Sequence, residues 1–225
     1  MGLLGTSLAI TTIRYSNIHG RICPAHIRGS DPTVISSIAK QALAAAGLLV
    51  SEEADGQFAG LIPPIVAAQA VSCPLADRRT DIILDFEDPQ LVQKINSGWH
   101  QLSTAAGLFS GDSDRFLLGL PVEEDGVSAW VPVGLGESWD IAGKGAATLL
   151  GSSAGRPEFV ALSLDGSVIS CGTTGQYSVN VFVVKQPQFS RVLRRFAESL
   201  TTAVYASPLD QTASRQWLDA NPVDE

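Results

Sequence analysis

Residues 158–184 read EFVALSLDGSVISCGTTGQYSVNVFVV. Three short runs rich in β-branched and aromatic residues fall at 158–164, 167–171 and 178–184, and each has the composition of a strand. Asp165-Gly166 separates the first two. It is the strongest hairpin signal in the chain, because glycine accepts the positive φ that a tight turn demands. Strands joined this way are antiparallel, and their side chains alternate between the two faces of the pair. Working outward, residues 128–133 (SAWVPV) and 81–86 (DIILDF) carry the same signature, and the apolar run 3–13 (LLGTSLAITTI) is read as a further strand.

Helical periodicity flanks these strands. Pro187 is expected to start a helix of about 17 residues, with Phe189, Val192, Leu193, Phe196, Leu200 and Val204 in one apolar stripe. A short final helix that includes Ala213–Ala220 would dock through Trp217 and Leu218. Ser30-Asp31-Pro32 has the chemistry of a helix start, and that helix is expected to run to about Ala46 with Gly47 as its stop. Its apolar side would be Val34, Ile35, Ile38, Ala42 and Ala45. Asp88-Pro89 opens another helix, with Leu91, Val92, Ile95 and Trp99 near one face. Residues 65–70, after Pro63-Pro64, fit either a strand or a short helix. The sum is an α+β fold: a mixed, mostly antiparallel sheet flanked by helices. The polar run Ser110–Arg115 divides the chain into an N-terminal α/β region, 1–110, and an α+β unit, 111–225, with one continuous domain as the alternative.

Of 225 residues, 45% are hydrophobic and 17% charged, the balance of a chain that buries a core. Cys23, Cys73 and Cys171 are far apart and form no C-x-x-C pair, which argues against a disulfide framework or a cysteine-based zinc site. Reduced, buried thiols and a cytoplasmic setting are expected. No stretch approaches the roughly 18 apolar residues of a membrane span. Met1-Gly2-Leu3-Leu4-Gly5-Thr6 fits a myristoylation pattern, but nothing polybasic follows it to supply a second anchor.

The formal charge of −8 is unevenly spread. Residues 81–140 hold eleven Asp or Glu against two Lys or Arg, a balance of −9, whereas the flanking regions are near neutral. Such a surface repels phosphate backbones and steers basic partners toward it. The candidate binding residues are Asp81, Asp85, Glu87, Asp88, Asp112, Asp114, Glu123, Glu124 and Asp125. Asp81, Asp85 and Glu87 share parity in a strand and would face one way, a row able to bind a divalent cation, to do acid/base work, or simply to face solvent.

Three catalytic or metal patterns are weak. Gly151-Ser152-Ser153-Ala154-Gly155 fits G-x-S-x-G, but Arg156-Pro157 and a strand follow rather than a helix, and His19, His26 and His100 all precede Ser153. A glycine-rich turn accounts for it better. Ser37-Ile38-Ala39-Lys40 fits S-x-x-K without the companion S-D-N. His19, Cys23 and His26 supply at most three zinc ligands. No catalytic residue, metal or cofactor is assigned.

Four pieces of the segment from about Arg115 to Leu200 resemble the SUKH superfamily, in particular its bacterial immunity-protein branch. Phe116-Leu117-Leu118-Gly119-Leu120-Pro121 is similar to the "FL-x-x-x-GLP" opening, in shortened form. Leu150-Gly151-Ser152, ahead of the Phe159–Leu164 strand, resembles the "lGs" motif. Asp165-Gly166-Ser167-Val168 resembles the "D-x-x-G-x-V" hairpin, and Val179-Asn180 with the Phe189–Leu200 helix resembles the closing motif. Val181-Phe182 replaces the usual serines, and the first 80 residues have no counterpart. The resemblance implies a mixed sheet with flanking helices that binds a toxin and blocks it without catalysis. A protein partner with a basic surface is therefore expected, with no nucleic acid and no membrane. A small-molecule enzyme using the acids near 81–88 is one alternative, and an assembly subunit pairing through exposed strand edges is another.

Overall fold

A computed structural model describes residues 35–51, 58–109, 114–121 and 127–223. All of them belong to one compact unit, Thr33–Glu225. The strand expected at 3–13, the His19/Cys23/His26 pattern and the Ser30-Asp31-Pro32 helix start lie outside the described residues.

Among the described residues the strands are β1 (Leu48–Val50), β2 (Arg79–Asp85), β3 (Arg115–Pro121), β4 (Ser128–Leu135), β5 (Gly151–Ser153), β6 (Arg156–Pro157), β7 (Phe159–Leu162), β8 (Val168–Thr174) and β9 (Ser178–Lys185). The helices there are α1 (Ser37–Ala45), α2 (Pro64–Ala67), α3 (Leu91–Ala106), α4 (Arg191–Leu200) and α5 (Pro208–Ala220), with 3-10 turns at Ala68–Ser72 and Leu75–Asp77 before β2 and at Pro187–Phe189 before α4. Seven strands form one sheet in the order β1-β4-β3-β7-β8-β9-β2, with neighbours antiparallel. The fold is α+β. Strands from both sides of Ser110 share the sheet, since β2 pairs with β9 along its whole length.

The Asp165-Gly166 hairpin forms as read. Gly166 has φ 75°, and β7 and β8 pair across the turn. The Ser163 and Ser167 hydroxyls and the Ser167 N–H donate to Asp165 Oδ1. Burial raises the Asp165 pKa, but these hydrogen bonds outweigh it and hold the carboxyl below its ordinary range.

Alternation along the strands fills two cores, one on each side of the sheet. On one side Phe116, Leu118, Val131, Val133, Val179 and Val181 meet Leu43 of α1 with Ile95 and Trp99 of α3. On the other, Leu117, Trp130, Ile169, Phe182 and Val184 meet Val66 of α2, Leu193, Ala197 and Leu200 of α4, and Trp217 of α5. The sheet is thus the middle of three layers. Gly119 marks where α2 comes closest to the central strands: a Cβ there would lie 2.8 Å from Val160 and 3.3 Å from Pro64 and from Trp130.

Two helices depart from the sequence reading. In α1 the buried residues are Ala39 and Leu43, whereas Ile38 is 77% exposed. Ser36 caps the helix by accepting from Ala39 N–H at 3.0 Å, so Ser37 is its first residue. The expected 17-residue helix from Pro187 is divided. Pro187–Phe189 is a 3-10 turn, Ser190 turns extended and caps, and α4 spans Arg191–Leu200. Phe189 and Val204 therefore leave the stripe and are exposed. Phe189 instead lies beneath the Arg78 guanidinium, 4.9 Å from its ring centre. Residues 64–72 are helical rather than a strand, and α5 includes the expected Ala213–Ala220 stretch and starts at Pro208, where Ser207 caps it.

Candidate binding surface

Local chemistry divides the acidic segment into carboxylates held by the fold and carboxylates facing solvent. Asp81 belongs to the first group. On β2 it lies two residues from Arg79, on the same face, and the guanidinium donates to both of its oxygens at 2.7 and 2.8 Å. Asn180 of β9 adds a third donor at 2.8 Å. Arg79 Nη1 also donates to the carbonyls of Ala70, Val71 and Cys73, and the guanidinium stacks on the Phe182 ring at 3.9 Å. One arginine thus ties β2, β9 and the 3-10 turn Ala68–Ser72 together. Burial raises the Asp81 pKa, but the Arg79 and Asn180 hydrogen bonds prevail and lower it.

Asp88 and Asp140 flank a groove of about 760 Å³ that opens broadly to solvent. Asp88 precedes α3. It accepts from Gln90 N–H at 2.9 Å and from Lys94 Nζ at 2.6 Å, and the lysine hydrogen bond is the main reason its pKa is lowered. Asp140 faces it from the loop after β4, accepting from Asn96 Nδ2 and Gly143 N–H, each at 2.7 Å. Leu91, Val92 and Trp139 supply the apolar wall. Trp139 also stacks on His100 at 5.4 Å and meets Trp99 edge-on at 5.5 Å, which fixes the groove to the aromatic core.

Asp85, Glu87, Asp114 and Glu137 are exposed. Asp85 turns the chain out of β2 by accepting from Glu87 N–H at 2.9 Å. Arg156 supplies positive charge close by, stacked on Phe86 at 4.0 Å. Asp112, Glu123, Glu124 and Asp125 lie outside the described residues. The row expected of Asp81, Asp85 and Glu87 is not continuous: Asp81 is taken up by Arg79, and Glu87 stands beyond the end of β2. Asp140 and Glu137 were not singled out from sequence. The available signal is the Ser138-Trp139-Asp140 run after β4, with its partner Asn96 forty-four residues away.

Ser153 sits on the β5–β6 hairpin, paired with Arg156, not on a turn leading into a helix. His100 is held between Trp139 and Phe109 on α3. Ser190 Oγ donates to Asp77 at 2.7 Å and lies 3.3 Å from the buried Cys73 thiol. Burial raises the pKa of that thiol, and Ser190 also caps α4, so the trio fastens a turn to a helix. Among the described residues no group of His, Cys, Asp and Glu converges to hold a metal ion, and no helix is long and apolar enough to cross a membrane. Comparison with protein-family models, with curated proteins and with solved structures finds no match.

Proposed function

We propose that this is a non-catalytic binding protein of the immunity type, whose acidic end receives and neutralises a toxin or another protein with a basic surface. The observation that carries the reading is the division of the acidic segment. Asp81, Asp88 and Asp140 are engaged by the fold, while Asp85, Glu87 and Glu137 project into solvent from the turns adjoining the groove. Lys94 and Arg156 offset part of this charge. Exposed like charges beside an open groove raise the rate at which a basic partner is captured. Three of the four pieces that resemble the SUKH immunity branch lend further support, because they fall on β3, the β7–β8 hairpin and β9, neighbours in the sheet, while Leu150-Gly151-Ser152 falls at the separate β5–β6 pair.

The reading is tested by co-expression with the product of a neighbouring toxin gene, scored by rescue of growth, and by the salt dependence of the purified complex. Glu87→Gln with Glu137→Gln removes two exposed carboxylates that make no contact with the core. The pair should slow association several-fold at low salt and have little effect at high salt. Loss of rescue without any change in association rate would move the recognition surface elsewhere.

A further inference from the structure

The groove between Asp88 and Asp140 is built from pieces tied to one another. Asn96 on α3 donates to Asp140 Oδ1 at 2.7 Å. Gly143 N–H donates to the same oxygen at 2.7 Å, and a Cβ on Gly143 would collide with Asp140 Oδ2, so the glycine makes room for the carboxylate. Gly155, at the β5–β6 turn, donates its N–H to the Ala142 carbonyl at 2.7 Å and lies against Leu91 and Val92. The walls are therefore fixed before anything binds.

The acceptors in the groove are not equally engaged. Both oxygens of Asp88 hold a donor, from Gln90 N–H and from Lys94, and the lysine offsets its charge. Asp140 receives Asn96, Ala142 and Gly143 on Oδ1, and no donor of the described residues reaches Oδ2. Asn96 Oδ1 is enclosed and has no hydrogen-bond partner, and an unmet buried acceptor is rare in a native fold. These unengaged oxygens belong to groups already joined by a hydrogen bond, beside the Trp139 indole. Elsewhere the chain fills such a set with a guanidinium: Arg79 donates to the Asp81 carboxylate and to backbone carbonyls while lying 3.9 Å from the Phe182 ring centre.

We infer that the groove seats one arginine side chain of the basic partner, whose guanidinium donates to Asp140 Oδ2 and Asn96 Oδ1 and lies on the Trp139 indole. Side-chain shifts at the rim, common on binding, open Asn96 Oδ1 to it. The methylene stem runs along Leu91 and Val92. The inference rests on the reading of the acidic end as a protein-binding surface, and names the side chain that this surface selects. Arginine is favoured over lysine because a planar fork of N–H donors satisfies two acceptors at once and stacks on a ring, whereas an ammonium is a compact, strongly hydrated point charge. An anionic ligand would face the uncompensated Asp140 carboxylate.

The test is a titration of the full chain with a blocked glycine–arginine–glycine peptide and with its lysine and citrulline counterparts, followed by nuclear magnetic resonance of the Trp139 indole N–H and the Asn96 side-chain amide. The arginine peptide should shift both signals to saturation. The lysine peptide should bind several-fold more weakly, and the uncharged citrulline peptide should not bind. Asp140→Asn keeps the Oδ1 acceptor and sets an amide N–H where Oδ2 stands, so it should weaken the arginine peptide about tenfold. Gln93 is exposed at the groove, so substitution there leaves the core packing alone. Gln93→Glu should tighten the arginine peptide and Gln93→Lys should weaken it, both with the parent circular dichroism spectrum. Equal binding of the arginine and lysine peptides, binding unaltered by both Asp140→Asn and Gln93→Lys, or propylguanidine binding tighter than the peptide would overturn the inference. A toxin neutralised while the arginine peptide leaves both signals in place would overturn this site and spare the proposed function. Saturation by the arginine peptide without rescue from any neighbouring toxin would support the site and count against that function.

Discussion

The two sides of the sheet are held in different ways. On the α1/α3 side, Trp99 meets Phe109, Phe116, Trp139 and Phe159 edge-on with ring centres 5.5–6.1 Å apart. On the α2/α4/α5 side Trp130, Phe182 and Trp217 are set among aliphatic side chains, and the margin is fastened by polar contacts: Arg79 with Asp81 and three carbonyls, and Ser190 with Asp77 and Cys73. The difference follows from what each side must cover. A sixteen-residue amphipathic helix brings most of the apolar surface that closes one face. The 3-10 turns over residues 68–77 bury few side chains, so directed hydrogen bonds must hold them in place.

That contrast can be broken or sharpened by measurement. Trp99→Ala should have the largest effect, about 4 kcal/mol of lost stability by urea denaturation, because it empties the meeting point of four rings. Arg79→Met should cost about 3 kcal/mol, since Asp81 and three carbonyls lose their donor together. Adding Asp81→Leu should recover part of that loss, and if it does not, the polar margin acts through something other than this pair.

Acid provides a third probe. The folded-state pKa of Asp81 lies below its unfolded value, so its contribution is present above about pH 4 and lost as pH falls through the folded value. Asp81→Asn should flatten that part of the acid limb, and an unaltered limb would assign it to other carboxyls such as Asp165. Ser190→Ala should cost about 1 kcal/mol through loss of the α4 cap. Asp88→Asn should leave the denaturation midpoint unchanged within error, because its Lys94 pair lies at the surface.

What could be read in the sequence was what is decided locally. Asp165-Gly166 carries its turn geometry in two residues, and the hairpin forms where expected. Ile95 and Trp99 face the core as their spacing predicts. The helical spacing of Phe189 runs unbroken through Ser190, whose side chain caps α4 and leaves Phe189 outside it, and the spacing of Val204 continues past Leu200, where α4 ends. Ile38 was misassigned because α1 buries the neighbouring stripe through Leu43. β1 has only three residues, Leu48–Val50, too few to show alternation, and it is defined by its pairing with β4. At the candidate surface the sequence supplied the acidic balance but not its division. Only pairing across β2, β9 and the turn at 70–73 shows that Asp81 is spent internally. Arg79 and Asp81, opposite charges two apart on a strand, were the local hint.

The hydroxyls of Ser103 on α3 and Ser170 on β8 lie 2.9 Å apart, both fully enclosed by apolar side chains. A helix packed only through hydrophobic contacts tolerates sliding, since one greasy ridge fits a groove nearly as well as the next. Moving α3 by one turn, about 5.4 Å, would leave two hydroxyls in oil without a partner. The pair therefore works as a keyway. It locks the axial position of the helix, and through Asn96 and Trp99 on the same rod it sets the gap between the two carboxylate-bearing banks, Asp88 and Asp140.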